Sequence, residues 1–97
     1  MNIEEFRASL NAEKPSPDMS HALQALWFDA KGDWHAAHTQ AQAQEDATGA
    51  WVHAYLHRKE GDLSNAGHWY HRAGKPVAEV SLEQEWESIT NALLEQT

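Results

Sequence analysis

The sequence predicts an all-α fold of about six helices, arranged as antiparallel pairs standing side by side. Three observations carry this expectation. A short string occurs twice: Gly32-Asp33-Trp34-His35-Ala36-Ala37 returns 29 residues later as Gly61-Asp62-Leu63-Ser64-Asn65-Ala66, each copy preceded by alanine and large apolar residues. A period of that size marks stacked helix pairs. Apolar residues elsewhere recur at helical spacing. No stretch alternates apolar and polar residues for the length of a strand, and Val77 to Val80 is too short to serve.

Taken in order, Ile3, Phe6 and Leu10 lie at i, i+3 and i+7 and predict a short amphipathic helix. After Lys14-Pro15-Ser16-Pro17, Ser16 is expected to cap a second helix, with Pro17 in a first turn that needs no N–H. Its stripe is Met19, Ala22, Leu23, Leu26 and Ala30, and Gly32 closes it. Asp33 then caps a helix over about 33–45, whose apolar face is Trp34, Ala37, His38 and Ala41. A fourth helix covers about 47–60, and Asp62 caps a fifth that reaches Ala73. Gly67 within the fifth costs about 1 kcal/mol in propensity, which predicts a neighbouring helix close by. Gly74-Lys75-Pro76 is a stop signal. Ser81-Leu82-Glu83-Gln84 has capping-box spacing and opens a last helix with the stripe Leu82, Trp86, Ile89 and Leu93.

With 97 residues the chain has room for one domain with a modest core, 1–97, of which 20–75 forms two repeat units and 1–15 and 81–97 flank them. It has no cysteine, which excludes disulfides and thiolate metal sites. No secretory leader and no membrane-spanning apolar run is visible, so a cytoplasmic protein of bacterial type, with no membrane partner, is the expectation. The net charge of −8 argues against general nucleic-acid affinity, which depends on cations at phosphates. Charge is uneven: residues 57–75 hold Arg58, Lys59, Arg72 and Lys75 against Glu60 and Asp62. That cluster is a candidate anion site, and the acidic last helix is a candidate partner for it.

The two copies resemble tetratricopeptide-type (TPR/Sel1-like) helix pairs. Gly32-Asp33-Trp34…Ala37…Ala41 and Gly61-Asp62-Leu63…Ala66…Tyr70…Ala73 match that family's turn and second helix, while Ala25 and Ala54 match the small residue of its first helix. The resemblance implies a tetratricopeptide-like array with capping helices, small alanines at helix crossings and large apolar residues filling around them. The period is shorter than the family's 34 or so residues, and the second copy holds His53 and His57 where large apolar residues are usual. Trp51-Val52-His53-Ala54-Tyr55-Leu56-His57-Arg58, with Asn65-Ala66 and Trp69-Tyr70, is also similar to a group of short bacterial proteins to which no activity attaches.

Those histidines are the chemistry-bearing feature. His53 and His57 are one turn apart on a face that the repeat directs toward neighbouring helices, His38 lies on the inward stripe of its own helix, and His21 falls in the equivalent inward slot of the first copy. The first reading is structural: the rings bond backbone or one another, because a buried imidazole needs partners for both nitrogens. The second is a metal site of His38, His53 and His57, with zinc or another first-row metal as the cofactor. The third is acid–base work near neutral pH. His-Glu-x-x-His is absent. His35/His38 and His68/His71 are i, i+3 pairs, of which His35 and His71 are expected on outer faces, solvated or groove-lining.

Trp34, Trp51 and Trp69, with Arg58 and Arg72, are candidate partner-binding residues, since aromatics and arginine anchor interfaces. No Ser/His/Asp order, Gly-rich phosphate loop or dinucleotide fingerprint occurs, and no catalytic residue is assigned. The leading expectation is an interaction module that binds a peptide, a protein partner or a second copy of itself, without a cofactor. The alternative is a metal-binding protein, hydrolytic if catalytic at all, using His38, His53 and His57.

Overall fold

The computed structural model describes residues 1–96; Thr97, the end of the expected 81–97 flank, lies outside them. Six helices follow in order: α1 (Ile3–Ser9), α2 (His21–Ala30), α3 (Trp34–Ala43), α4 (Ala47–Lys59), α5 (Leu63–Ala73) and α6 (Leu82–Glu95). No strand occurs among the described residues. The all-α expectation holds, and the element boundaries lie close to those read from the sequence.

The repeated string folds into a repeated corner. Gly32 and Gly61 both adopt positive φ (84° and 88°), a conformation that costs any other residue steric strain. Asp33 and Asp62 follow as N-caps, accepting from the backbone N–H groups of Ala36 and Asn65. In each corner the aspartate N–H donates to a carbonyl five residues back, Phe28 in one and His57 in the other, at 2.9 and 3.0 Å. The sequence repeat is therefore a repeat of turn geometry.

Two local expectations are corrected. Ser16 caps only a turn, accepting from Asp18 N–H, while α2 opens later, at His21, with Ser20 as its cap. Pro17 lies in that turn, which Met19 N–H closes by donating to the Ser16 carbonyl at 3.1 Å, and the helix opens only at the next competent side-chain acceptor. A Cβ at Gly67 would meet nothing within 4 Å, so no helix crowds that position. Close approach occurs instead at Gly49, where a Cβ would lie 1.8 Å from the Gln44 carbonyl oxygen.

Side-chain pairings fix the helix directions. The start of α2 meets the end of α3 through Ala22 N–H donating to Gln44 and through His21 with Gln40. The start of α3 meets the end of α4, where the Trp34 indole N–H donates to the Leu56 carbonyl. The end of α4 meets the start of α5 through His57 and Asn65, and His53, earlier in α4, meets Trp69, later in α5. Each neighbour therefore runs antiparallel to the last. Small residues sit where the helices cross: Ala37, Ala41, Ala54 and Ala66 are all buried. On the other side α6 closes the core, with the Trp86 indole bonding the Leu26 carbonyl, and α1 lays Phe6 against Trp86. Leu26, Leu56 and Ile89 are fully buried, each contributing about 1.5–3 kcal/mol.

Two buried carboxylates pin the layers. Asp29 of α2 accepts from the Tyr55 hydroxyl at 2.9 Å and from Lys59 at 2.9 Å. Glu85 of α6 accepts from the Tyr70 hydroxyl and from Arg58, the latter at 2.8 Å. Burial, reinforced by these carboxylates, pushes both tyrosines far above the usual phenol range. The acidic last helix does pair with the basic middle segment, through Glu85 and Arg58.

α3 and α5 both pack on α4, and among the described residues their backbones do not come close to each other. This leaves a groove with α4 as its floor, and His53 and His57 belong to that floor.

Candidate metal centre

Helical geometry places His53 and His57 one above the other, because residues four apart share a face. Their rings stack at 23° with centroids 4.7 Å apart. His38 projects from the α3 wall, edge-on to both, with centroids 4.6 Å from His53 and 5.3 Å from His57. One ring nitrogen from each of the three lies within 4.8 Å of the others. The closest approach is a 2.9 Å hydrogen bond between the Nε2 atoms of His38 and His53.

Aromatic walls hold the cluster. Trp34 stacks on His38 at 4.9 Å and 16°, and its indole is fixed by the Leu56 carbonyl. Trp69 stacks on His53 at 3.9 Å and 16°. His53 is 3% exposed and His57 7%, while His38 is half-buried at the groove edge.

Burial disfavours the charged imidazolium. It pushes His53 down to about 4, helped by repulsion from His38, His57 and Arg72. The same causes, burial and then His57, lower His38 from its ordinary value, with Glu60 opposing. Both rings are therefore neutral at pH 7, the state in which a ring nitrogen can donate its lone pair to a metal.

His57 is oriented from outside the cluster. Its Nδ1 lies 2.5 Å from the Glu60 carboxylate, which leaves Nε2, 3.4 Å from Asn65 Nδ2, as the nitrogen open to a ligand. A carboxylate behind a ligating histidine fixes tautomer and ring angle and raises ligand basicity. His57, Glu60 and Asp62 also converge within 4.8 Å, but both carboxylates are exposed, and Asp62 is engaged as the α5 cap.

The donor set fits a borderline metal ion. Three imidazole nitrogens at about 2.0–2.1 Å from zinc would stand about 3.3 Å apart in a tetrahedral site, a small outward shift for His38 and His53. Three protein ligands leave a coordination position for solvent or a ligand.

The other candidates are distributed around this centre. Trp34 and Trp69 bracket it. Trp51 lies away from it, beneath the Lys75 ammonium at 4.3 Å. Arg58 is held inside the fold by Glu85 and the Val80 carbonyl. Arg72 lies over the Trp69 ring at 4.7 Å. His21 is corrected: it is exposed and bonded to Gln40, because α2 starts at this residue, and Ala22 and Leu23 rather than His21 face the core. His35, His68 and His71 are exposed. Sequence reasoning missed Glu60 as the partner of His57, although an i, i+3 carboxylate in the last helical turn was a readable signal.

A cleft of about 530 Å³ opens beside His53, between the α3–α4 connection and α5, and is lined by Gln44, Asp46, Ala50, His53, Trp69 and Arg72 among others. No helix of the described residues is long and apolar enough to cross a membrane. No protein-family model matches the chain, and no curated protein or solved structure matches it.

Proposed function

We propose that this chain binds one first-row divalent metal ion, with zinc as the reference case, through His38, His53 and His57. The observation that carries this reading is the convergence of three ring nitrogens within 4.8 Å, two of them on buried histidines. Further support comes from the neutral state of His38 and His53, from Glu60 behind His57, and from stacking on Trp34 and Trp69. Three nitrogen ligands with a fourth position left open is the pattern of catalytic rather than structural zinc. A hydrolytic role would use that position to hold an activated water.

The test is metal analysis of protein purified without a polyhistidine tag, incubated with zinc and freed of excess. The expected result is one equivalent per chain in the natural protein and none in the His53→Ala/His57→Ala variant, with helicity monitored by circular dichroism. A natural protein that retains no metal, or a variant that retains as much, contradicts the proposal.

A second reading, a module that binds a peptide or protein partner, has its own support. Trp27, Trp34 and Trp86 spend their indole N–H groups on backbone carbonyls, whereas those of Trp51 and Trp69 bond none of the described residues. Half-buried tryptophans with a free donor suit a partner surface. Loss of partner capture in Trp69→Ala, with metal uptake retained, would separate this reading from the first.

A further inference from the structure

The cleft between the α3–α4 connection and α5 carries charges that neither the fold nor the histidine cluster consumes. On its α5 wall stands Arg72. Among the described residues Arg7 and Arg58 each bond a carboxylate, and Arg72 alone of the three arginines does not. Its guanidinium lies over the Trp69 ring at 4.7 Å, which leaves N–H donors at the ring edge to receive a carboxylate. On the wall formed by the α3–α4 connection, Glu45 is exposed and bonds none of the described residues. Asp46 beside it caps α4, and the Gly49 N–H that it accepts holds its carboxyl below the usual carboxylate range, so it is ionised at pH 7. His53, in the floor with Ala50, is neutral at that pH and adds no charge.

One cation therefore faces two carboxylates from separate elements. A lone anion entering the cleft meets net negative charge, and a lone cation meets Arg72. A molecule with an ammonium at one end and a carboxylate at the other complements both walls. In a single α-amino acid both charges hang on one carbon, so walls on separate elements call for a longer molecule. Between the walls lies the side-chain amide of Gln42, which bonds none of the described residues. It offers a donor and an acceptor, the match for a peptide group. The cleft volume of about 530 Å³ leaves room for such a molecule.

We propose that this cleft binds a dipeptide-sized zwitterion, with its carboxylate on Arg72, its ammonium on the Glu45 and Asp46 side, and its chain across Trp69. Binding there is non-covalent and does not depend on the metal reading.

Glycylglycine is the probe. N-acetylglycylglycine, which lacks the ammonium, and glycylglycinamide, which lacks the carboxylate, are its controls. Each is titrated at pH 7 into metal-free protein, so that chelation by the dipeptide plays no part, and the Trp69 indole N–H is followed by nitrogen-15 NMR. The expected result is a saturable shift with glycylglycine and binding weaker by about tenfold, the worth of a charge-assisted bond, with either control. Arg72→Gln should weaken glycylglycine about tenfold and erase its advantage over glycylglycinamide, while Glu45→Gln should reduce its advantage over the acetylated form. Lys75→Gln removes a positive charge from a different cleft, beside Val77 and Val80, and should change binding less than twofold. All three substituted side chains are exposed, and amide dispersion checks that each variant folds. An indole insensitive to glycylglycine overturns the inference, as do equal responses to the three compounds or equal losses in Arg72→Gln and Lys75→Gln. None of these outcomes touches the metal reading.

Discussion

The Nε2 atoms of His38 and His53 face each other at 2.9 Å, a distance that one shared proton explains. Between neutral rings this bond needs opposite tautomers, one donating and one accepting. A metal ion makes the other demand, that both nitrogens turn bare lone pairs to the same point. The metal-free cluster is thus closed by a bond that metal binding must replace, and several consequences can be measured.

The metal-free protein should lose stability as the pH falls from about 6.5 toward 4. His53 titrates near 4 in the folded chain, held down first by burial and then by His38, His57 and Arg72. In the unfolded chain it takes a proton near 6.5, so across this window the unfolded state binds more protons and stability rises with pH. At ~1.4 kcal/mol per unit the full effect is on the order of 3 kcal/mol, and His38 acts in the same direction. Urea unfolding at pH 7.5 and pH 5 with chelator present checks this, and His53→Ala should flatten the profile.

Zinc should raise the melting temperature of the natural protein and leave that of His53→Ala/His57→Ala unchanged. A ligand present at a hundred times its dissociation constant adds about 2.7 kcal/mol. For a domain of this size each kcal/mol is worth about 4–8 °C, so a rise of about 10 °C or more is expected by thermal melts with and without zinc.

Glu60→Gln should weaken zinc binding about 10- to 100-fold, the usual cost of losing a carboxylate behind a ligating histidine. Glu60 is exposed and touches the cluster only through His57 Nδ1. The variant should therefore fold normally, and competition titration against a chelating dye measures the loss.

Arg58→Ala should destabilise the fold by about 3–5 kcal/mol, because it leaves the buried Glu85 carboxylate with only the Tyr70 hydroxyl. Denaturant unfolding measures it. The size of the effect would place Arg58 among residues that hold α4 to α6.

The two helical glycines should respond oppositely to alanine. Gly67→Ala adds a methyl group to open space and should stabilise α5 by about 1 kcal/mol. Gly49→Ala drives a Cβ into the Gln44 carbonyl and should destabilise the α3–α4 turn. Comparative melts of the two variants decide.

The helices were legible because their signals are local. Asp33, Asp62 and Ser81 cap where their spacing predicts, and the twin Gly-Asp corners fold alike. The meeting of His38 with His53 and His57 was legible at one remove, through the inward stripes of two helices that the repeat sets side by side. What escaped depends on where chains lie in three dimensions. Nothing in the spacing says that Glu60 turns back onto His57, or that Arg72 stays on Trp69 while Arg58 crosses to Glu85. His21 failed for a local reason: α2 opens at this residue, and its first turn buries Ala22 and Leu23 while His21 stays outside.

X-ray absorption of the zinc-loaded, tag-free protein tests the central claim most directly, since it counts imidazole ligands around the ion. The expected spectrum contains three histidine scattering patterns, with zinc–nitrogen distances of about 2.0–2.1 Å, and it is lost in His38→Ala. Zinc surrounded by oxygen alone, or a spectrum unchanged by His38→Ala, would contradict it.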